Sequence, residues 1–449
     1  MVTFSHAEPG TPPEAWSEHP GSAGLARLDL DLHAYDRLVV LAAHPDDESL
    51  GAGGLVRRAY RHGLAVLVVA ATDGEASHPA SPTHSHDELA SVRRAELRAA
   101  VEALAPTATI ERLGLPDGEL SEHVDDLQAG VVRLVGDGRR TLLVAPWRHD
   151  GHADHEAAGR VAATTAVRTG ARLLEFPLWW WHWGRPDAAP WDRLRVLDLD
   201  PAEAAARARA QAAHRSQVEP LSDLEGDEVL LGASFLRHFA GGRETYVVEP
   251  PEDTALDDLH ARVADPWGTD SRWYEVRKRS LLLAALPRPT FRHGLEVGSS
   301  TGALAADLAA RCHRLLVVDS SAEAVDRARE RLREVDTARV DQLTVPREWP
   351  APPARGFDLI VLSEVGYFLS PADLDRLVDR IRASLADDGV LVLCHWRHPI
   401  VGWPLDGAAV HAVLTSAGLR PVVADYRDRD LELLVLADPA ELPDPQGDP

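Results

Sequence analysis

Cysteine is nearly absent. The 449 residues hold two, Cys312 and Cys394, which cannot build a disulfide framework or a four-cysteine zinc site. Lysine is scarcer still. Lys278 is the only one, so arginine carries nearly all the positive charge, a coding bias rather than a functional signal. Long apolar runs are missing too. Stretches such as Leu64 to Ala71 are strand-sized, far short of the roughly 20 residues that span a bilayer. There is no basic excess: 47 basic against 71 acidic residues give a net charge of −24. That balance argues against a chain built to grip a nucleic-acid backbone or an anionic membrane. Residues 1–36 are rich in Pro, Glu, His and Ala and lack the basic-then-apolar order of a signal peptide. The expectation is a cytoplasmic protein with no nucleic-acid, membrane or obligate protein partner.

What is present is an ordinary globular composition, 45% hydrophobic, long enough for two or three domains of roughly 100–200 residues. From Arg37 onward, short apolar runs alternate with helical patterns. Leu38–Ala43, Leu64–Ala71, Thr109–Leu113 and Thr141–Ala145 read as strands, and Asp87–Ala105 and Val124–Val135 as helices. Pro201–His214 reads as a further helix. A second alternation runs from Asp270 to Cys394, with strands at His293–Val297, Arg314–Val318, Phe357–Ser363 and Gly389–Cys394. Alternation of this kind predicts an α/β class, here two tandem Rossmann-like three-layer domains with mostly parallel sheets. The expected layout is a loosely ordered tail over 1–36, a first domain over 37–250, a linker over 251–264, a second domain over 265–440 and a tail over 441–449.

Two clusters stand out in the first domain. Ala43-His44-Pro45-Asp46-Asp47-Glu48 follows the first strand, and His149-Asp150-Gly151-His152-Ala153-Asp154-His155 follows the fourth. Carboxyl ends of parallel strands are where open α/β sheets bind ligands. One His, one Asp and one His drawn from the two clusters suit a metal with a position left open for water. Either cluster alone reads equally well as a solvated acidic loop. The pair, with Thr72-Asp73-Gly74-Glu75, Arg93 and Glu96, Leu113 to Gly118, and Ala213-His214-Arg215-Ser216-Gln217, resembles the PIG-L/LmbE-type N-acetylglucosamine deacetylases over residues 37–250. The resemblance implies that His44, Asp47 and His155 hold zinc and Asp46 is the general base. It further implies that His152 stabilises the transition state and Asp154 orients His152. Arg93 and Asp117 are candidates for sugar hydroxyls. Trp181 belongs to Pro177-Leu178-Trp179-Trp180-Trp181-His182-Trp183, whose flat rings suit either a sugar or a contact between domains.

In the second domain Leu295-Glu296-Val297-Gly298-Ser299-Ser300-Thr301-Gly302 follows a strand and opens a helix. Asp319 ends the next strand, where nucleotide-binding sheets hold ribose hydroxyls. The glycine loop alone also fits NAD. Glu296 ahead of the first glycine and the FDLIVLSE run ending at Glu364 favour S-adenosylmethionine (SAM). With Trp273-Tyr274-Glu275, Ser363 to Phe368 and Trp396-Arg397-His398-Pro399, residues 265–440 resemble the nodulation-factor N-methyltransferases of the class I SAM-dependent fold. Glu296, Gly298, Ser300, Gly302, Asp319 and Ser363 are the cofactor candidates. Glu364, Tyr367, His395 and His398 are the methyl-acceptor candidates. Two departures are Ser300, where a third glycine is common, and Thr344, near where an Asp often reads adenine. Together the resemblances imply a bifunctional enzyme: zinc-dependent deacetylation of a small-molecule amino-sugar glycoside, then N-methylation of the freed amine. The alternatives are an active deacetylase whose second domain only binds SAM or a partner, or methylation of a different acceptor.

Overall fold

The computed structural model describes residues 10–443. The chain divides between Glu252 and Asp253 into two compact units. Residues 1–9 and 444–449, parts of the expected tails, lie outside the described residues.

The first unit is built on eight strands: β1 (Ala26–Arg27), β2 (Arg37–Ala42), β3 (Ala65–Ala70), β4 (Thr109–Arg112), β5 (Thr141–Pro146), β6 (Arg172–Phe176), β7 (Leu194–Asp198) and β8 (Arg243–Val247). Their order is β1-β7-β8-β6-β5-β2-β3-β4. β2 to β6 run parallel to one another, and β8 is antiparallel to β6 and β7. Leu38 to Ala43 are fully buried, because helices cover both faces of a parallel sheet. Helix His86–Leu104 starts with a reciprocal Ser85–Glu88 capping box, and helix Pro201–Ala213 with one between Asp200 and Glu203. The chain steps from β2 to β3 and β4 on one side, then returns to β5 on the other. The ends of β2 and β5 therefore flank the switch point, where the sheet opens a crevice.

Residues 10–36 differ from the loosely ordered tail expected there. Pro13–Glu18 and Pro20–Ala23 are helical, and β1 pairs with β7. Trp16 explains it: its ring lies 4.7 Å from Trp180, 5.0 Å from Trp181 and 6.2 Å from Trp191. Its indole N–H donates to the Trp181 carbonyl at 2.8 Å. A buried indole outweighs the turn-forming composition around it. The tryptophan run is the other half of this cluster, within the same unit.

The second unit has seven strands: β9 (Phe291–Val297), β10 (Cys312–Asp319), β11 (Ala338–Gln342), β12 (Phe357–Ser363), β13 (Leu385–Trp396), β14 (Val422–Arg427) and β15 (Leu431–Leu436). The order is β11-β10-β9-β12-β13-β15-β14, with β15 antiparallel to both neighbours. The switch point here lies between β9 and β12. The expected linker carries a helix, Ala255–Arg262, in this unit. Each unit is thus a mostly parallel sheet layered with helices, as the alternation predicted. No helix among the described residues is long and apolar enough to cross a membrane.

Candidate active sites

In the first unit the chain turns sharply after β2. Asp46 sits at φ 136°, a region costly for a residue with a side chain. Three interactions hold it there. The Glu48 carboxylate accepts the Asp46 amide at 3.1 Å, and Arg93 donates to the Pro45 carbonyl at 2.6 Å and to Asp46 Oδ2 at 3.2 Å. Glu48 is anchored in turn by the Ser49 hydroxyl at 2.5 Å and by His214 at 3.2 Å.

His44, Asp47 and His155 bring one ligand atom each within 4.8 Å of one another. His155 Nδ1 lies 2.7 Å from Asp150 Oδ2. His44 Nε2 lies 3.1 Å from both Asp154 Oδ2 and Asp117 Oδ1. Carboxylates accept only, so each imidazole places its proton on the outward nitrogen. The inward nitrogens, His44 Nδ1 and His155 Nε2, then face each other at 3.2 Å, with Asp47 Oδ1 3.3 Å from His155 Nε2. Two nitrogens and a carboxylate around one point hold together with a cation among them, a proton on the nitrogens or a metal bound by their lone pairs. Histidines backed by carboxylates are the usual outer support of a metal centre, so the donor set fits a divalent metal. His44, His152 and Asp154 form a second close group. There the Asp154 carboxylate is already engaged by the amides of Gly118 and Leu120 at 2.8 and 3.1 Å.

His152 caps helix Ala153–Thr169: its Nδ1 accepts the Asp154 amide at 3.2 Å. That contact assigns the proton to Nε2, leaving Nε2–H as a donor. Burial, then the positive charge of His155 and His44, push His152 down to about 3. Burial lifts Asp46 to about 6 against the pull of Arg93. On His155, burial opposes charge, but Asp47 and Asp150 carry it up to about 9.

Four candidates stand in places the sequence did not suggest. Arg93 is buried and engaged with Gly74, Pro45 and Asp46, so it braces Asp46. Asp117 supports His44 and accepts the Ala76 amide at 2.8 Å. The Asp154 carboxylate supports His44, while His152 meets only its backbone. Trp181 packs on Trp16. The indole facing His152 is Trp179, at 6.3 Å and nearly parallel. Asp150 was missed. Besides His155 it accepts the amides of Leu178, Trp179 and Trp180, tying His155 to the tryptophan helix.

In the second unit the loop after β9 passes close to the turn after β12. Gly298 has φ 77°, and a Cβ there would sit 2.8 Å from Val365. Ser300, at φ 49°, occupies a left-handed position that favours glycine. Asp319 holds this loop: it accepts the Ser300 amide at 2.8 Å and the Ser321 amide at 3.0 Å. Glu296 Oε2 and the Ser299 and Ser300 hydroxyls are buried without a hydrogen-bond partner. Burial, then Asp319 and Asp307, raise Glu296 well above its usual range. Unpaired buried acceptors beside a glycine loop suit the amino group and hydroxyls of a nucleoside cofactor such as SAM. Ser363 ends β12 beside Cys394, and the Thr344 amide donates to Glu348 at 2.6 Å.

Of the acceptor candidates, Glu364 and Tyr367 meet at 2.6 Å. Tyr274 and Lys278, absent from the sequence-based set, join them at 2.7 and 3.1 Å from Glu364. His395 lies against this group, its ring 5.6 Å from that of Tyr367. It is fully buried, accepting the Gly366 amide at 3.2 Å and meeting His411 at 2.9 Å. His398 is half exposed and pairs with Asp430 at 2.8 Å.

The family "GlcNAc-PI de-N-acetylase" (PIG-L) matches residues 39–166, and the family "Methyltransferase domain" matches residues 295–391. Nodulation protein S of Rhizobium tropici is 35% identical over 130 residues, 28% of this chain and 53% of that protein. The same protein of Bradyrhizobium diazoefficiens is 30% identical over 143 residues, 31% of this chain and 67% of that protein. The 1D-myo-inositol 2-acetamido-2-deoxy-alpha-D-glucopyranoside deacetylase of Streptomyces scabiei is 31% identical over 185 residues, 36% of this chain and 54% of that protein. The chain thus spans between about half and two thirds of the length of these relatives. These matches fall on the two units that carry the two sites: a domain of the PIG-L deacetylase type joined to a methyltransferase domain.

Proposed function

We propose that the first unit removes the acetyl group from an N-acetylated amino sugar and the second transfers a methyl group from SAM to the freed amine. The observation that carries the reading is the convergence of His44 Nδ1, His155 Nε2 and Asp47, with Asp46 held beside them in a strained conformation. These three residues would hold zinc, which when bound polarises an amide carbonyl and lowers the pKa of water. Asp46 takes the proton of the attacking water, and Arg93 and Glu48 fix its position. The Nε2–H of His152 donates to the oxyanion that develops on the substrate carbon. Asp46 then returns the proton to the departing nitrogen, so acetate and a free amine leave. Trp179 offers the substrate a flat apolar wall next to His152.

In the second unit Glu296 and Asp319 are placed to receive the ammonium and ribose hydroxyls of SAM, which supplies an electrophilic methyl group. The order follows from nucleophilicity, because an amide nitrogen is a poor nucleophile and an amine a good one. Joining the two units in one chain raises the local concentration of the intermediate at the second site.

The test uses the full chain with zinc, SAM, an N-acetylglucosaminide and its deacetylated counterpart, read by mass. The wild type is expected to lose acetyl and then gain methyl. Asp46→Ala is expected to methylate only the deacetylated sugar. Equal methylation of both by that variant would overturn the sequence of steps.

A further inference from the structure

Glu364 has no lone pair left for a substrate. Its Oε1 accepts the Tyr274 hydroxyl at 2.7 Å and Lys278 Nζ at 3.1 Å. Its Oε2 accepts the Tyr367 hydroxyl at 2.6 Å and the Trp396 amide at 2.8 Å. A carboxylate has about four acceptor directions, and all four are used. Lys278, also paired with Glu275 at 2.8 Å, keeps Glu364 ionised. Burial would raise Glu364, but Lys278, His395 and the two phenols bring it down. Each phenol therefore spends its single proton on Glu364 and presents only lone pairs elsewhere. Burial and the Glu364 charge also raise both tyrosines above their usual value, so neither turns into a base. The turn that carries Glu364 and Tyr367 lies against the cofactor loop, through the close approach of Gly298 and Val365.

We propose that the methyl-acceptor pocket selects an amine over a hydroxyl through the phenol oxygens of Tyr274 and Tyr367, with Glu364 as a positioning residue that orients both. This rests on the methyl-transfer reading above. Two acceptor oxygens take the two N–H bonds of a primary amine and leave its lone pair free. That lone pair forms the new N–C bond, the methyl–sulfur bond breaks with its electrons passing to sulfur, and the resulting ammonium loses its proton to water. A hydroxyl has one proton to give and needs a base to become nucleophilic. Tyr274, Tyr367, the saturated Glu364, the cationic Lys278 and the His395 nitrogen bound to Gly366 supply none.

The test uses the full chain, SAM and two probes, p-nitrophenyl β-glucosaminide and p-nitrophenyl β-glucoside. The wild type is expected to methylate the first on nitrogen and to leave the second unchanged. Tyr274→Phe and Tyr367→Phe are each expected to raise KM for the amine about tenfold, the effect of one lost hydrogen bond. SAM affinity by calorimetry should stay unchanged, which also reports that the variants fold. The rising limb of kcat/KM against pH should follow the pKa of the acceptor amine when a less basic amine is supplied, in the wild type and in Glu364→Gln. Three results would overturn the inference: phenylalanine variants with unaltered KM, methylation of the glucoside, or a limb fixed at one pH for every amine and lost in Glu364→Gln. Failure of the wild type to methylate any sugar amine would sink the functional reading as well.

Discussion

Replacing Asp150 with asparagine tests whether the inward nitrogen of His155 is a metal ligand. Asp150 is fully buried. Its Oδ2 lies 2.7 Å from His155 Nδ1 and accepts the Trp179 amide at 3.0 Å; its Oδ1 accepts the amides of Leu178 at 2.7 Å and Trp180 at 3.1 Å. Asparagine keeps one acceptor oxygen and turns the other into an NH2 donor. If the NH2 faces Leu178 and Trp180, two amides lose their acceptor, at about 1–3 kcal/mol each. If it faces His155, only the Trp179 amide is stranded, at about 1–3 kcal/mol, and the histidine adapts by moving its proton from Nδ1 to Nε2. The second arrangement costs less and should prevail. It puts a proton on the nitrogen the metal needs. Loss of such outer support typically weakens metal binding 10–100-fold, so zinc affinity, titrated against a chromophoric chelator, should fall by about that factor or more. The melting temperature should fall by roughly 2–12 °C. Undiminished zinc binding by the folded variant would refute the tautomer argument and leave Asp150 as an anchor for the tryptophan helix alone.

Other outcomes follow from the same structure. Trp16→Ala removes a buried indole and should destabilise the first unit by about 3–5 kcal/mol, a fall in melting temperature of roughly 6–20 °C; a change under 2 °C would show that residues 10–25 do not pack as described. Glu296→Gln should weaken SAM binding in calorimetry yet stabilise the cofactor-free protein, because the native Oε2 is buried without a partner. Glu296 also has a pH signature. Its folded pKa lies well above 4.5, so the folded state holds this proton more tightly than the unfolded chain. Its stabilising effect is complete below the unfolded value and is lost as pH rises towards the folded one. Denaturant unfolding between about pH 5 and about pH 7 should show a decline that is smaller in Glu296→Gln; identical slopes would refute it.

The central strands were legible because their causes are local. Runs such as Leu38 to Ala43 are apolar on both faces, and only a doubly covered strand uses such a run. The ends of β2, β5 and β9 were legible for the same reason, since a motif's position after a strand fixes its place at a switch point. Partners distant in sequence were not. Asp150 was visible inside a histidine-rich run, but its role depends on amides 28 to 30 residues away. Lys278 and Tyr274 lie 86 and 90 residues from Glu364, and periodicity says nothing about such pairings. Arg93 and Asp117 have the chemistry of sugar-binding residues, and only burial distinguishes a brace from a binder. Trp16 lies in a stretch of turn-forming residues, and the indole cluster that orders it comes from residues 180–191.

Lys278 is the only lysine of the chain, and it is 5% exposed between Glu275 and Glu364. Amine-directed chemistry therefore finds no side chain to attack on the folded surface. Succinimidyl esters and aldehyde cross-linkers should spare every native side-chain amine and react only at the chain's α-amine, so a lysine introduced at a chosen exposed position becomes the one addressable side chain. Pairing with Glu275 and Glu364 also holds Lys278 as an ammonium, with no lone pair to compete for the methyl group in its own unit.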